Sequence, residues 1–180
     1  MTDKNKVTIS KLMSLVLRHN PAKLNINLDE NGWSDVDKLM QGINKKGHKV
    51  TLVDLKEIVE SNDKKRFKFN DDFTKIRANQ GHSINVDVEL KEAKPPAILY
   101  HGTATKFLSS IEKQGLVAGS RLHVHLSSDK ETANQVGIRH GKPVVLTINS
   151  EKMYADGNLF YLSDNNVWLT NSILPKYIYS

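Results

Sequence analysis

The chain has 180 residues, 38% hydrophobic and 26% charged, enough for one large domain or two small ones. It has no cysteine, which excludes disulfides, thiolate nucleophiles and cysteine-ligated zinc; no apolar run reaches membrane-spanning length and no signal-peptide core is seen. The formal net charge of +6 favours an anionic partner, and a cytoplasmic protein without a membrane is expected.

Residues 1–94 hold 18 Lys/Arg against 14 Asp/Glu and residues 95–180 hold 8 against 6, so the basic bias leans to the first half. Of the 26 basic residues only Arg18, Arg66, Arg77, Arg121 and Arg139 are arginine. In a lysine-rich chain these are the positions to test for bidentate phosphate contacts.

Ile9, Leu12, Met13, Val16 and Leu17 recur at helical spacing and predict an amphipathic helix over 8–19. It ends at Arg18-His19-Asn20-Pro21, because proline disfavours helix in the residue before it. Cations at a helix C-terminus complement the dipole; a guanidinium beside an imidazole also suits an anion. An extended piece over 24–28 and a turn at Asp29-Glu30-Asn31-Gly32 follow. Ser34-Asp35-Val36-Asp37 reads as the capped start of a helix closing near Gly47, and Thr51 starts another. Trp33 reads as a core anchor between them.

Lys64 to Phe69 alternates charge with aromatic residues, and after Asn70-Asp71-Asp72 the run Phe73 to Arg77 completes a predicted hairpin. Phe67, Phe69, Phe73 and Ile76 read as its buried side. Three helices and a hairpin predict a winged-helix arrangement, with Lys65, Arg66, Lys68 and Arg77 as either a solvated face or a phosphate-binding face, the basic balance favouring phosphate. The segment up to Pro95-Pro96 reads as a linker, with the domain boundary near 95.

In the second half, Ile98-Leu99-Tyr100 runs as a strand into His101-Gly102-Thr103, read as a glycine turn before a helix capped by Thr103 or Thr105 and closed by Gly115. Neither GxGxxG nor GxxxxGK[ST] occurs. From His123 to Ser127, imidazole and hydroxyl alternate with Val124 and Leu126, so a strand here carries His123, His125 and Ser127 on one face. A helix from Asp129 to about 136, a central strand over 144–148 and strands near 159–162, 167–170 and 177–179 make a compact α+β unit.

HExxH and GxSxG are absent, and carboxylates are sparse around the histidines, which disfavours metal, serine-triad and two-carboxylate chemistry. Arginines with a histidine suit chemistry on phosphate: guanidinium groups neutralise charge and orient oxygens, and an imidazole moves a proton near neutral pH.

Leu17-Arg18-His19-Asn20-Pro21, Lys65-Arg66-Phe67, Ile76-Arg77-Ala78-Asn79-Gln80-Gly81-His82-Ser83, Leu99-Tyr100-His101-Gly102-Thr103, Arg121-Leu122-His123-Val124-His125-Leu126-Ser127 and Val167-Trp168-Leu169-Thr170 occur in that order. Together they closely resemble the NAD-dependent RNA 2′-phosphotransferase family, across essentially the whole chain. The resemblance implies an α+β protein with a winged-helix-like RNA-binding lobe over 1–94 and an ADP-ribosyltransferase-like NAD-binding lobe over 95–180. It implies that the RNA 2′-phosphate attacks C1″ of the nicotinamide ribose, and that O2″ then attacks the phosphorus. The products are 2′-hydroxyl RNA, nicotinamide and ADP-ribose 1″,2″-cyclic phosphate.

Carried over onto this chain, the catalytic residues are Arg18, His19, Arg66 and Arg121. His101, Gly102, Thr103, His125 and Ser127 match the NAD-cleft motifs; Lys65, Arg77, His82 and Ser83 fall to RNA contacts. NAD is the co-substrate, no metal is implied, and no obligate protein partner follows. Val167 stands where protein-modifying ADP-ribosyltransferases usually carry glutamate. Asn166 replaces a frequent glycine in a turn it can still make, and Leu24-Asn25-Ile26 departs from the commoner Gly-Leu. A transferase that caps terminal RNA or DNA phosphates is the alternative in the same class; a non-catalytic RNA-binding module is the alternative outside it.

Overall fold

The computed structural model describes residues 1–179, which divide into two compact units, Met1–Glu89 and a second that begins at Leu90. In the first, α1 spans Asp3–Arg18 and buries Ile9, Met13, Val16 and Leu17 along one stripe. Its first turn lay outside the expected 8–19 because Asp3-Lys4-Asn5-Lys6 is polar; Thr2 caps it by accepting from the Asn5 N–H. The helix stops where His19 and Asn20 both donate to the Leu15 carbonyl, just before Pro21. Residues Pro21–Leu24 then form a 3₁₀ turn ending at left-handed Asn25 (φ 57°), so the start of the extended piece expected over 24–28 is taken by the end of this turn.

Strand β1 (Ser34–Asp35) leads into α2 (Val36–Lys45), capped by the Asp35 carboxylate on the Lys38 N–H. Helix α3 (Leu52–Glu60) opens with a reciprocal Thr51/Asp54 capping box. Strands β2 (Phe67–Phe69) and β3 (Lys75–Ala78) form the predicted hairpin, and β1 pairs with β3, giving the antiparallel order β1-β3-β2. Leu17, Leu39, Ile43, Leu55, Phe67 and Ile76 fill the core beneath. Each such side chain contributes roughly 1.5–3 kcal/mol by leaving water.

Two hairpin readings are corrected. Phe73 is 42% exposed and occupies the turn at φ 60°, its ring against Phe69 and under the Lys56 ammonium. Arg77 is buried, because residues 86–89 cover the face of β3 that alternation assigns to solvent. That segment is anchored chain: Asp87 donates to the Glu30 carbonyl and Val88 is buried.

In the second unit, β4 (Lys91–Glu92) pairs with a later strand, so the division falls ahead of position 95. The chain continues through β5 (Leu99–Ala104), α4 (Leu108–Gln114), β6 (Leu116–Val117), β7 (Val124–Leu126) and α5 (Lys130–Ile138). Strand β8 (Pro143–Ile148) precedes α6 (Ser150–Ala155), a helix the sequence reading passed over; β9 (Tyr161–Leu162), β10 (Trp168–Thr170), β11 (Ser172–Ile173) and β12 (Ile178–Tyr179) follow. The sheets run β12-β8-β5 and β4-β9-β10-β7, with β11-β6 as a separate ribbon. As expected, β8 is central. Tyr100 and Ser127 exchange backbone hydrogen bonds of 2.8 Å, joining β5 to the end of β7. Leu99, Leu126, Leu146, Ile148 and Phe160 form the core.

His101-Gly102-Thr103 does not form the expected turn: all three lie inside β5. The helix begins later, after a 3₁₀ turn at Thr105–Phe107, and no side chain caps α4. Gly115 closes it at φ 75°, as predicted. Asn166 adopts φ 61°, so the asparagine does keep its turn.

Candidate functional site

The first cluster is built by one segment. Asn79, just beyond β3, donates its N–H to the Arg66 carbonyl (2.9 Å). Gln80 Oε1 accepts from Arg18 Nη2 (3.4 Å), and Ser83 Oγ lies 2.8 Å from His19 Nδ1. The Ser83 N–H donates to the Arg18 carbonyl at 3.0 Å, using one of the carbonyls that a helix C-terminus leaves without an intrahelical partner. The chain from 79 to 83 thus passes Arg66, Arg18 and His19 in turn, bringing together residues that stand 48 positions apart in sequence. Gln80 was not singled out as a site residue; its place in the Gln-Gly-His-Ser motif was the available signal.

His82 sits within this segment at 1% exposure. Burial, joined by the charges of Arg18, His19 and Arg77, lowers its pKa to about 4, so the ring is neutral at neutral pH. Arg77 is 4% exposed: Nη1 donates to the Asn31 carbonyl and Glu89 Oε2, Nη2 donates to the Val88 carbonyl, and the guanidinium stacks 4.4 Å from the Trp33 ring centroid. Lys65, at φ 44°, donates from Nζ to the Glu60 carbonyl and caps the end of α3. Of the four residues expected to contact RNA, two are buried and one serves a helix end. Ser83 is exposed but bonded to His19.

The second cluster lies in the other unit, on β5 and β7. His101 Nδ1–H donates to the His125 carbonyl at 2.9 Å, which fixes the tautomer and makes Nε2 an acceptor. Burial lowers the His101 pKa, keeping the ring neutral. Arg121 is exposed and its Nη1 lies 3.5 Å from His125 Nδ1. The guanidinium can only donate, so His125 carries its proton on Nε2 in that contact. The predicted alternation holds at Val124, His125 and Leu126, with the two apolar residues buried. His123 precedes the strand and meets the Tyr161 ring edge-on at 5.6 Å; burial lowers its pKa.

Gly102 and the backbone of Thr103 lie against α5. A Cβ on Gly102 would come 1.6 Å from the Ala133 carbonyl oxygen, so this glycine permits a close helix-on-strand approach. Thr103 is buried. His101, His125 and Ser127 are the members of the expected NAD set that remain partly exposed. Imidazole and hydroxyl groups beside an arginine fit the ribose hydroxyls and pyrophosphate of a dinucleotide. Among the described residues, no three His, Asp or Glu side chains converge as a metal site requires, and no helix is long and apolar enough to cross a membrane.

The family model "RNA 2'-phosphotransferase, Tpt1 / KptA family" matches residues 4–172. A protein of Flavobacterium johnsoniae is 57% identical over 171 residues, covering 95% of this chain and 94% of its own. One from Rhodopirellula baltica is 52% identical over 177 residues (98% and 96%), and one from Fusobacterium nucleatum 51% over 175 (97% and 98%). All three carry the name "Probable RNA 2'-phosphotransferase".

Proposed function

Because the chain belongs to the RNA 2′-phosphotransferase, Tpt1/KptA family, we propose that it removes a 2′-phosphate from RNA with NAD as co-substrate. NAD supplies an electrophilic ribose carbon whose leaving group is nicotinamide. The RNA 2′-phosphate takes up the ADP-ribosyl group at that carbon. The ribose O2″ then attacks the phosphorus, expelling the RNA 2′-oxygen, which leaves protonated, and releasing ADP-ribose 1″,2″-cyclic phosphate. The phosphate is the first nucleophile, so the chain need not provide one, in keeping with the absence of cysteine.

Arg18, Arg66 and Arg121 hold the phosphate and the charge that grows on it, and His19 moves the proton in the second step. His101, His125 and Ser127 hold the NAD ribose and pyrophosphate. The first unit is the winged-helix-like, RNA-binding lobe and the second the ADP-ribosyltransferase-like lobe, and both are required.

The observation that supports this reading is the segment 79–83. It holds a guanidinium and an imidazole at one helix end through side chains of its own, so both groups are oriented before substrate arrives. The test is incubation with 2′-phosphorylated RNA and labelled NAD. The expected products are 2′-hydroxyl RNA and the cyclic phosphate; stable ADP-ribosylated RNA ends from wild-type protein would favour the end-capping alternative.

A further inference from the structure

We propose that Ser83 is a positioning residue whose hydroxyl sets the orientation of the His19 imidazole; this rests on the role given to His19 above. His19 lies one residue past the end of α1 and is exposed, away from the core that α1 buries. A side chain at the surface has rotamer freedom to lose before it can act. The 2.8 Å contact from Ser83 Oγ to Nδ1 restricts that freedom in advance.

The contact can do so because Ser83 is itself fixed. Its N–H is bonded to the Arg18 carbonyl, so hydroxyl and imidazole are referred to the same helix end. The preceding residue, His82, is buried, and its Nε2 would lie 3.3 Å from a Cβ at Gly32, so the turn at Gly32 closes over the imidazole. Asn79 is buried at the other end of the segment and pinned to Arg66 through its N–H. Ser83 therefore ends a stretch whose backbone is held at several points.

The chemistry of the group also fits. A hydroxyl both donates and accepts, so it bonds Nδ1 whether or not that atom carries a proton. A ring that gains and loses a proton in each cycle needs a partner of that kind; a carboxylate would favour the charged ring and an amide one tautomer.

The experiment compares Ser83→Ala and Ser83→Thr in the full chain, using 2′-phosphorylated RNA and NAD. For Ser83→Ala we expect kcat to fall about 10–100-fold with ADP-ribosylated RNA accumulating, and the RNA KM to stay within about twofold. Ser83→Thr keeps a hydroxyl and should recover most of the rate. An increased RNA KM at unchanged kcat would overturn the proposal and make Ser83 an RNA contact; wild-type behaviour of Ser83→Ala would also overturn it. The ring ¹⁵N signals of His19, assigned with His19→Asn, provide a readout without substrate. They should move in Ser83→Ala and stay near wild type in Ser83→Thr, and an unmoved signal in the alanine variant would refute the contact. Failure of wild-type protein to form product would sink the proposed function and leave this NMR result standing by itself.

Discussion

Gly102 in β5 approaches Ala133 in α5 so closely that a Cβ on the glycine would lie 1.6 Å from the alanine carbonyl oxygen. Gly137 makes the matching approach from the helix, where a Cβ would meet the Thr103 carbonyl at 2.7 Å. The strand that carries His101 is thus set by a helix resting on bare backbone. Gly102→Ala must push α5 away, and should cost roughly 1–3 kcal/mol or more. Thermal unfolding checks this; a stability equal to wild type would mean that the two elements separate freely.

Arg77 is a structural arginine. Arg77→Ala leaves the Asn31 and Val88 carbonyls without their donor and removes the stack on Trp33, and should destabilise the first unit by roughly 2–4 kcal/mol. Arg77→Lys keeps the charge but not the fork, and should recover less than half of the loss. At a temperature where both variants are folded, RNA affinity and its salt dependence should match wild type; a shallower salt slope would return Arg77 to the RNA surface.

His82 predicts an acid-sensitive fold. Its folded pKa of about 4 lies below the ordinary 6.5, so between those values the unfolded chain binds the proton first. The stability associated with the neutral ring is complete above pH 6.5, declines as pH falls through that window and is lost below about 4. The full loss is about 3 kcal/mol. Urea midpoints measured across this range should show the slope in wild type and a smaller slope in His82→Gln, itself less stable at pH 7.5.

His101 should govern NAD and not RNA. His101→Ala removes the ring and should raise the NAD KM about tenfold or more while leaving RNA affinity unchanged. Because burial keeps the ring neutral, the wild-type NAD KM should not vary with pH above 6.5 through this residue. A rise in the RNA KM instead would place His101 with the other substrate.

Local chemistry was legible in the sequence wherever one residue decides it. The second helix is capped within the Ser34–Asp37 stretch read for it, at Asp35, Thr51 starts the third as read, Gly115 ends its helix, and β2 and β3 pair as a hairpin. Alternation failed at Arg77 because a distant segment covers a face that a lone hairpin would leave wet. His101-Gly102-Thr103 was misread for a related reason: a glycine needed for close packing looks the same in sequence as one needed for a turn. The juxtaposition of His19 with Ser83 lies beyond any local pattern, since 64 positions separate them and only the fold brings them together.

In the proposed function, Arg18, His19, Arg66 and Arg121 act on an RNA 2′-phosphate through an ADP-ribosylated intermediate. Single-turnover assays with 2′-phosphorylated RNA and labelled NAD, run on wild type, His19→Ala, Arg66→Ala and Arg121→Ala, test it most directly. Wild type should convert label to the cyclic phosphate with little intermediate. His19→Ala and Arg66→Ala should accumulate ADP-ribosylated RNA, with the second step slowed about 100-fold or more, and Arg121→Ala should slow its formation as well. Loss of 2′-phosphate without NAD consumption, or an intermediate absent from every variant, would contradict the account.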